Sequence, residues 1–265
     1  MAPARPPGEL PAPRVVRAPN ASPLTLDGTR TYLVGTRRVA VLDPGPDLPA
    51  HLDAIVGALG AHAGARAVAI LVTHDHPDHA PGAVPLAQRL GAPVLSLAAG
   101  SLAAGDRIAT DAGALVAIPT PGHAPDHVAF HWPAAAAVFC GDLMLGGQAT
   151  ALVAPPEGDL TEYLASMERL RRLAPRILYP THGDPFTDPG AAIGRYVRHR
   201  EERLAQVLAA LAPGEASADT MVERVYGAAL DPRLRAAATG ATLAYLAHLE
   251  RRGRVVRAGE RWRLA

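Results

Sequence analysis

Apolar residues in this chain fall into short, mostly β-branched runs separated by glycine, proline and aspartate, with stretches of helical spacing between them. Val15-Val16, Pro23–Leu26, Thr31–Val34 and Val39–Leu42 are punctuated by Asp27-Gly28, Gly35 and Pro44-Gly45, which predicts a meander of strands. Residues 49–63 carry Leu52, Ile55, Val56 and Leu59 on one helical face and lead into the apolar run Val68–Val72. A helix over Val84–Leu90, stopped by Gly91-Ala92-Pro93, precedes strands at Val94–Leu97, Ala114–Ile118, Val128–Trp132 and Ala137–Cys140. Leu160, Leu164, Met167 and Leu170 mark another helix, opened by Asp159 with Glu162 three residues on, as in a capping box. Ile177–Tyr179 reads as a final strand. Strands alternating with helices in this way predict an α/β domain.

From Arg195 onward the pattern is helical. Arg195–Leu211 places Leu204, Val207, Leu208 and Leu211 on one face and is broken by Pro213-Gly214. Ser217-Ala218-Asp219 caps a short helix through Tyr226, and a third helix runs from about Pro232 to Arg252, weakened by Gly240. Val255–Arg257 and Arg261–Leu264 read as a two-stranded hairpin. Three helices and a hairpin make a winged-helix pattern. The expected division is an irregular Pro/Ala-rich arm over residues 1–13, a main domain over 14–194 and a winged-helix-like domain over 195–265.

Composition narrows the chemistry. The 265 residues are 49% hydrophobic and 19% charged, as in a globular protein with a large core. All 26 basic residues are arginine, so Schiff-base chemistry and a lysine nucleophile are excluded. Cys140 is the single cysteine and has no partner for an intrachain disulfide; it reads as a small buried side chain. The opening MAPARPPGELPAP has no apolar core of a signal peptide, and no apolar run is long enough to span a bilayer, so a cytoplasmic protein without membrane contact is expected. Residues 195–265 hold 13 arginines against 8 carboxylates, a net +5; with +1 for the whole chain, residues 1–194 carry −4. That asymmetry permits a nucleic-acid contact through Arg251, Arg252, Arg254 and Arg257, and fits equally the solvated face of a lid.

The candidate chemistry is concentrated in Thr73-His74-Asp75-His76-Pro77-Asp78-His79, three imidazoles and two carboxylates in seven residues at the end of Val68–Val72. Pro77 excludes a regular helix here, so the motif is a loop at the C-terminal end of a strand. Imidazole and carboxylate suit divalent metals, and the spacing lets the residues face two points rather than one. Three further strand-like runs end in ligand-type residues: Pro119-Thr120-Pro121-Gly122-His123, Gly141-Asp142 and Thr181-His182-Gly183. Asp43, before Pro44-Gly45, fits either a carboxylate supporting a ligand or a plain Asp-Pro turn. His127 is expected to orient a ligand. Asp75 should point away, and His51, His62, His131, His199 and His248 lie outside any ligand pattern.

These residues resemble the metallo-β-lactamase superfamily: residues 73–79 match its His-x-His-x-Asp-His motif, and the later motifs follow in the same order. The resemblance implies an αββα sandwich with a dinuclear site on one edge. It gives His74, His76 and His123 to one metal, Asp78, His79 and His182 to the other, and Asp142 as the bridge. Zinc suits this donor set, and manganese or iron also fit. Two such metals about 3.5–4 Å apart lower the pKa of water to about 7, so a bridging hydroxide is the implied nucleophile, with Asp78 orienting it. No residue stands out as the acid for the leaving group. Residues 20–35, the TPGHAPDH segment and residues 195–265 further resemble the β-lactamase-like protein 2 family, whose animal representative is an endoribonuclease; Thr181 departs from the glycine common there. Hydrolysis of single-stranded RNA is one expectation, and hydrolysis of a thioester, ester or lactone of a small metabolite is the alternative. Only 40 residues separate Asp142 from His182 (182 − 142), too few for the inserted domain of β-CASP nucleases. The missing export signal disfavours a true β-lactamase, and His79 with the absence of lysine argues against the class that uses a cysteine ligand.

Overall fold

The computed structural model describes residues 11–147, 149–227 and 229–265; residues 1–10 of the expected arm lie outside them. The chain forms two compact units. Among the described residues, the first comprises 11–119, 126–147, 149 and 173–189, and the second 120–125, 150–172, 190–227 and 229–265.

Two five-stranded sheets build the first unit. One holds β1 (Arg14–Arg17), β2 (Arg30–Val34), β3 (Arg38–Leu42), β4 (Arg66–Leu71) and β5 (Val94–Leu95), in that order. The other runs β10 (Ile177–Pro180), β9 (Ala137–Gly141), β8 (Val128–Trp132), β7 (Gly113–Pro119) and β6 (Arg107–Thr110). Alternation of side chains along a strand sorts the first sheet's residues between two cores. Tyr32, Val34, Ala40, Leu42, Ala69 and Leu71 meet Leu115, Ala117, Phe130, Trp132 and Phe139 of the second sheet. Their neighbours Leu33, Val39, Val41 and Ile70 pack against Leu52, Ile55 and Leu59 of α1 (Pro49–Gly60) and Leu86 of α2 (Ala83–Leu90). Strands buried on both faces explain why these runs are continuously apolar.

Strand direction places the site. β3 and β4 are parallel, so Asp43 and the histidine-rich loop leave the first sheet at one edge. β9 and β10 are also parallel, which puts Asp142 and His182 together at the end of the second. The sheets are tied at this edge by Tyr32 Oη donating to the Pro180 carbonyl at 2.6 Å and by Arg30 N–H donating to the Thr181 carbonyl at 2.8 Å.

The second unit holds α3 (Leu160–Arg172), α4 (Pro189–Leu211), α5 (Ala218–Tyr226), α6 (Arg235–Arg251) and the sheet β11 (Ala216–Ser217), β13 (Arg261–Leu264), β12 (Val255–Ala258). Asp159 Oδ1 caps α3 by accepting from Thr161 N–H at 2.8 Å, and Ser217 Oγ caps α5 by accepting from Thr220 N–H at 3.3 Å. Met221, Val222, Tyr245, Leu246, Leu249, Val255 and Trp262 are buried, and the Arg257 guanidinium lies over Trp262, 5.1 Å from the ring centre. No helix among the described residues is long and apolar enough to cross a membrane.

Several expected elements are corrected. Pro23–Leu26 is a turn rather than a strand: Ser22 Oγ accepts from Leu24 and Thr25 N–H, Leu26 has φ of 53°, and Leu24 is exposed. Turn chemistry from serine and threonine outweighs the apolar run there. Arg107–Thr110 is an additional strand, paired with Gly113–Val116 through a tight turn. The terminal hairpin gains a third strand, β11, by pairing of Ala216 with Trp262.

Candidate metal centre

At the edge of the first unit, one ligand atom each from Asp78, His79, Asp142 and His182 lie within 4.8 Å of one another. Asp78 and His79 come from the loop after β4, Asp142 from the end of β9 and His182 from the end of β10. His79 and His182 are fully buried, Asp142 nearly so, and Asp78 is the most open, with 27% of its side chain exposed. His79 Nε2 stands 3.7 Å from Asp78 and 3.5 Å from Asp142; His182 Nε2 stands 3.0 Å and 3.5 Å from the same carboxylates. Neither nitrogen makes an aligned hydrogen bond, although both are buried. Buried polar atoms are normally satisfied, so nitrogens that face carboxylates without bonding them fit a cation held between them.

The opposite nitrogens are anchored. His79 Nδ1 donates to Asp43 Oδ2 at 3.1 Å, and His182 Nδ1 faces the Gly28 carbonyl at 3.4 Å. Asp43 also accepts from Thr73 N–H at 2.8 Å, Thr73 Oγ1 at 2.9 Å and Thr181 Oγ1 at 2.8 Å. Since the Thr73 hydroxyl gives its proton to Asp43, it accepts from His74 Nδ1, 3.0 Å away. One carboxylate therefore fixes the tautomer of His79 directly and of His74 through Thr73, so that in each ring Nε2 is the nitrogen carrying the lone pair. His74 Nε2 and His76 Nδ1 lie 2.8 Å apart. Asp75 points outward as expected, and its backbone N–H donates to Asp126 Oδ2 at 2.9 Å, which pins the loop between these histidines.

His127 is buried, and its Nε2 accepts from Asp142 N–H at 3.2 Å, so it orients a candidate ligand through that ligand's backbone. His123 belongs to the second unit, where its Nδ1 donates to the Leu152 carbonyl at 2.9 Å. Of the histidines set aside in the sequence, His51 supports Thr31 at 3.0 Å and His248 pairs with Thr161 at 2.8 Å. Asp126, Thr73 and Thr181 carry no ligand pattern, and the fold gives them their part: Thr73 and Thr181 donate to Asp43, and Asp126 accepts from the Asp75 amide.

Electrostatics agree with a cation site. Burial by itself lowers the pKa of His79, but Asp142 and Asp43 outweigh it and hold the imidazole well above its usual value. His182 is raised against its burial by Asp78 and Asp142. Burial pushes Asp78 up, yet the close approach of His182 and the charge of His79 bring it below the usual carboxylate range. Cys140 is buried behind Asp142, and burial first, then that carboxylate, pushes its thiol far up.

The comparisons agree with this geometry. Residues 24–109 and 103–182 match the family model described as "Metallo-beta-lactamase superfamily", and the chain belongs to that superfamily. Residues 217–262 match the "Beta-lactamase associated winged helix domain". The chain is 35% identical to "Lactamase-like protein nscB" of Aspergillus fumigatus over 75% of its own length and 61% of that protein's. It thus spans about three fifths of this curated relative. It is 29% identical to the "Atrochrysone carboxyl ACP thioesterase" of the same organism, over 82% of this chain and 74% of that one. Among solved structures, a beta-lactamase domain protein from Burkholderia ambifaria is 25% identical, with a TM-score of 0.81 over 96% of this chain and 91% of that chain.

Proposed function

We propose that the chain is a hydrolase that uses two divalent metal ions to cleave a thioester of a small acyl metabolite. The resemblance gives His74, His76 and His123 to one ion, and Asp78, His79, Asp142 and His182, all of the first unit, would hold the other. The observation that carries this reading is the second group: four ligand atoms within 4.8 Å, two of them buried imidazole nitrogens without an aligned hydrogen bond. When bound, the ions would supply a water made nucleophilic near neutral pH and a Lewis acid for the acyl oxygen. Zinc suits the nitrogen-rich donors, with manganese and iron also compatible.

The protein's own part is to hold, orient and admit. Asp43 keeps His79 and His74 in the tautomers that present Nε2. Asp142, whose backbone is held by His127, contributes the carboxylate nearest both buried imidazoles. Asp78 is ionised and the most open of the four, so it is the group placed to orient the attacking water. Beside His182, a cleft of about 300 Å³ is lined by Leu26, Asp27, Arg30, Gly146, Gly183 and Asp184, a size suited to a small acyl group.

Thioester cleavage is favoured over RNA cleavage by the activity for which a relative matching most of the chain is named. The arginines that suggested RNA are in part committed elsewhere: Arg251 pairs with Asp159 at 2.6 Å and Arg257 stacks on Trp262. The narrower likeness to the β-lactamase-like protein 2 family finds no counterpart in the relatives named above. The test is a side-by-side assay of metal-loaded protein on a panel of acyl thioesters and a fluorogenic single-stranded RNA, with His76→Ala as the blank. Thioester turnover that His76→Ala abolishes supports the reading. RNA cleavage without thioester turnover overturns it.

A further inference from the structure

Arg200, in α4, is a cation buried to 4% exposure in the second unit with no carboxylate partner among the described residues. Such a burial is costly unless the guanidinium is fully engaged. One arm donates to the Ala151 carbonyl at 2.5 Å and the other to Tyr245 Oη at 3.2 Å, while the plane lies 4.9 Å over the ring of Tyr163. Two of those groups, Ala151 and Tyr163, border the turn that carries His123. Ala151 precedes Leu152, whose carbonyl accepts His123 Nδ1–H. Tyr163 is the residue against which Gly122 is pressed: a Cβ on Gly122 would stand 2.2 Å from Tyr163 N, and Gly122 has φ of 129°. The turn is bolted to the same helix by Asp159 N–H donating to the Gly122 carbonyl at 2.9 Å and Ser166 Oγ donating to the Pro121 carbonyl at 2.7 Å.

The Ala151–Ala154 strap is itself clamped. Ala151 and Val153 are buried on either side of Leu152, whose carbonyl accepts from His123 Nδ1. A Cβ on Gly158 would meet Ala154 N at 2.3 Å, and one on Gly240 would meet Ala154 Cβ at 2.8 Å.

We infer that Arg200 is the positioning residue for His123: from the winged-helix side of the chain it fixes both the carbonyl that orients the imidazole and the tyrosine behind its turn. The inference rests on His123 being a metal ligand, as proposed above. It gives the C-terminal helices a part in holding a candidate ligand of their own unit, distinct from binding nucleic acid or covering a substrate. Groups that hold a ligating histidine from behind are worth about 10–100-fold in metal affinity.

The test is titration of the metal-stripped full-length chain with Zn²⁺, read by calorimetry, and with Co²⁺, read by its visible bands. The wild type should take two equivalents. Arg200→Met should bind one of them about 10–100-fold more weakly, leave the other unchanged, and lose the cobalt band that His123→Ala loses. Wild-type affinity for both equivalents in Arg200→Met overturns the inference, as does equal weakening of both, which marks a general structural role. If Arg200→Met does not fold, Arg200→Lys decides: it keeps the charge but not the fork, and should weaken the same single equivalent several-fold, with unchanged binding overturning the inference. Wild-type binding by His123→Ala would instead overturn the ligand assignment itself.

Discussion

The Asp43 carboxylate receives four donors from three residues on two separate loops and is buried behind the ligands rather than among them. Asp43→Ala would leave His79 Nδ1, the Thr181 hydroxyl and the Thr73 amide without their acceptor. Metal affinity at the His79 centre should fall about 10–100-fold in a competitive chelator titration, and an unchanged affinity would contradict the role given to it. In the sequence this residue read equally well as a turn, and indeed it has a turn-like φ of 47°. Its function is invisible there because Thr73 and Thr181 lie 30 and 138 positions away. Thr181, by contrast, was visible only as a departure from a family pattern; its hydroxyl is what reaches Asp43. Cys140 was legible as a buried thiol, and it is one. With its thiol pushed far up by burial, it should resist a thiol reagent at pH 8 in the folded protein and react with one equivalent once unfolded.

At the scale of elements, long apolar runs were legible because strands with both faces buried leave no ambiguity about being interior. The turn at Ser22–Leu26 and the strand Arg107–Thr110 were misread or missed because a few residues of turn chemistry, or a partner strand, decide such short segments. Gly240 weakened the expected final helix, yet the helix forms, and the glycine makes room for Ala154, whose Cβ would stand 2.8 Å from a Cβ at this position. Gly240→Ala gains up to about 1 kcal/mol of helix propensity and loses about 1–3 kcal/mol to overpacking. The contact at 2.8 Å decides the sign, so denaturant unfolding should show a net loss of stability. A gain would mean that the strap yields freely.

Across the whole molecule, the two units interleave in sequence, since residues 120–125 and 150–172 pack with the C-terminal helices. No composition break marks this division; it arises because the His123 turn hydrogen-bonds to α3 and α4 holds the strap beside it. The metal-stripped chain has a pH dependence of its own. His79 and His182 have folded pKa values above their unfolded ones, so their ion pairs stabilise the fold fully below about pH 6.5 and lose that contribution as pH rises through the raised values. Thermal melts of chelated protein should therefore show stability falling as pH rises above about 6.5, and melts that are flat or that rise over this range would contradict the assigned pairing. The central claim, a paired metal centre that hydrolyses a thioester, is tested most directly by adding Zn²⁺ in steps to chelated protein while thiol release from a thioester substrate is followed. Turnover should be absent without metal and reach its full value at two equivalents, with Asp142→Ala inactive at every point. Undiminished turnover by the chelated protein, or by Asp142→Ala, would contradict the account.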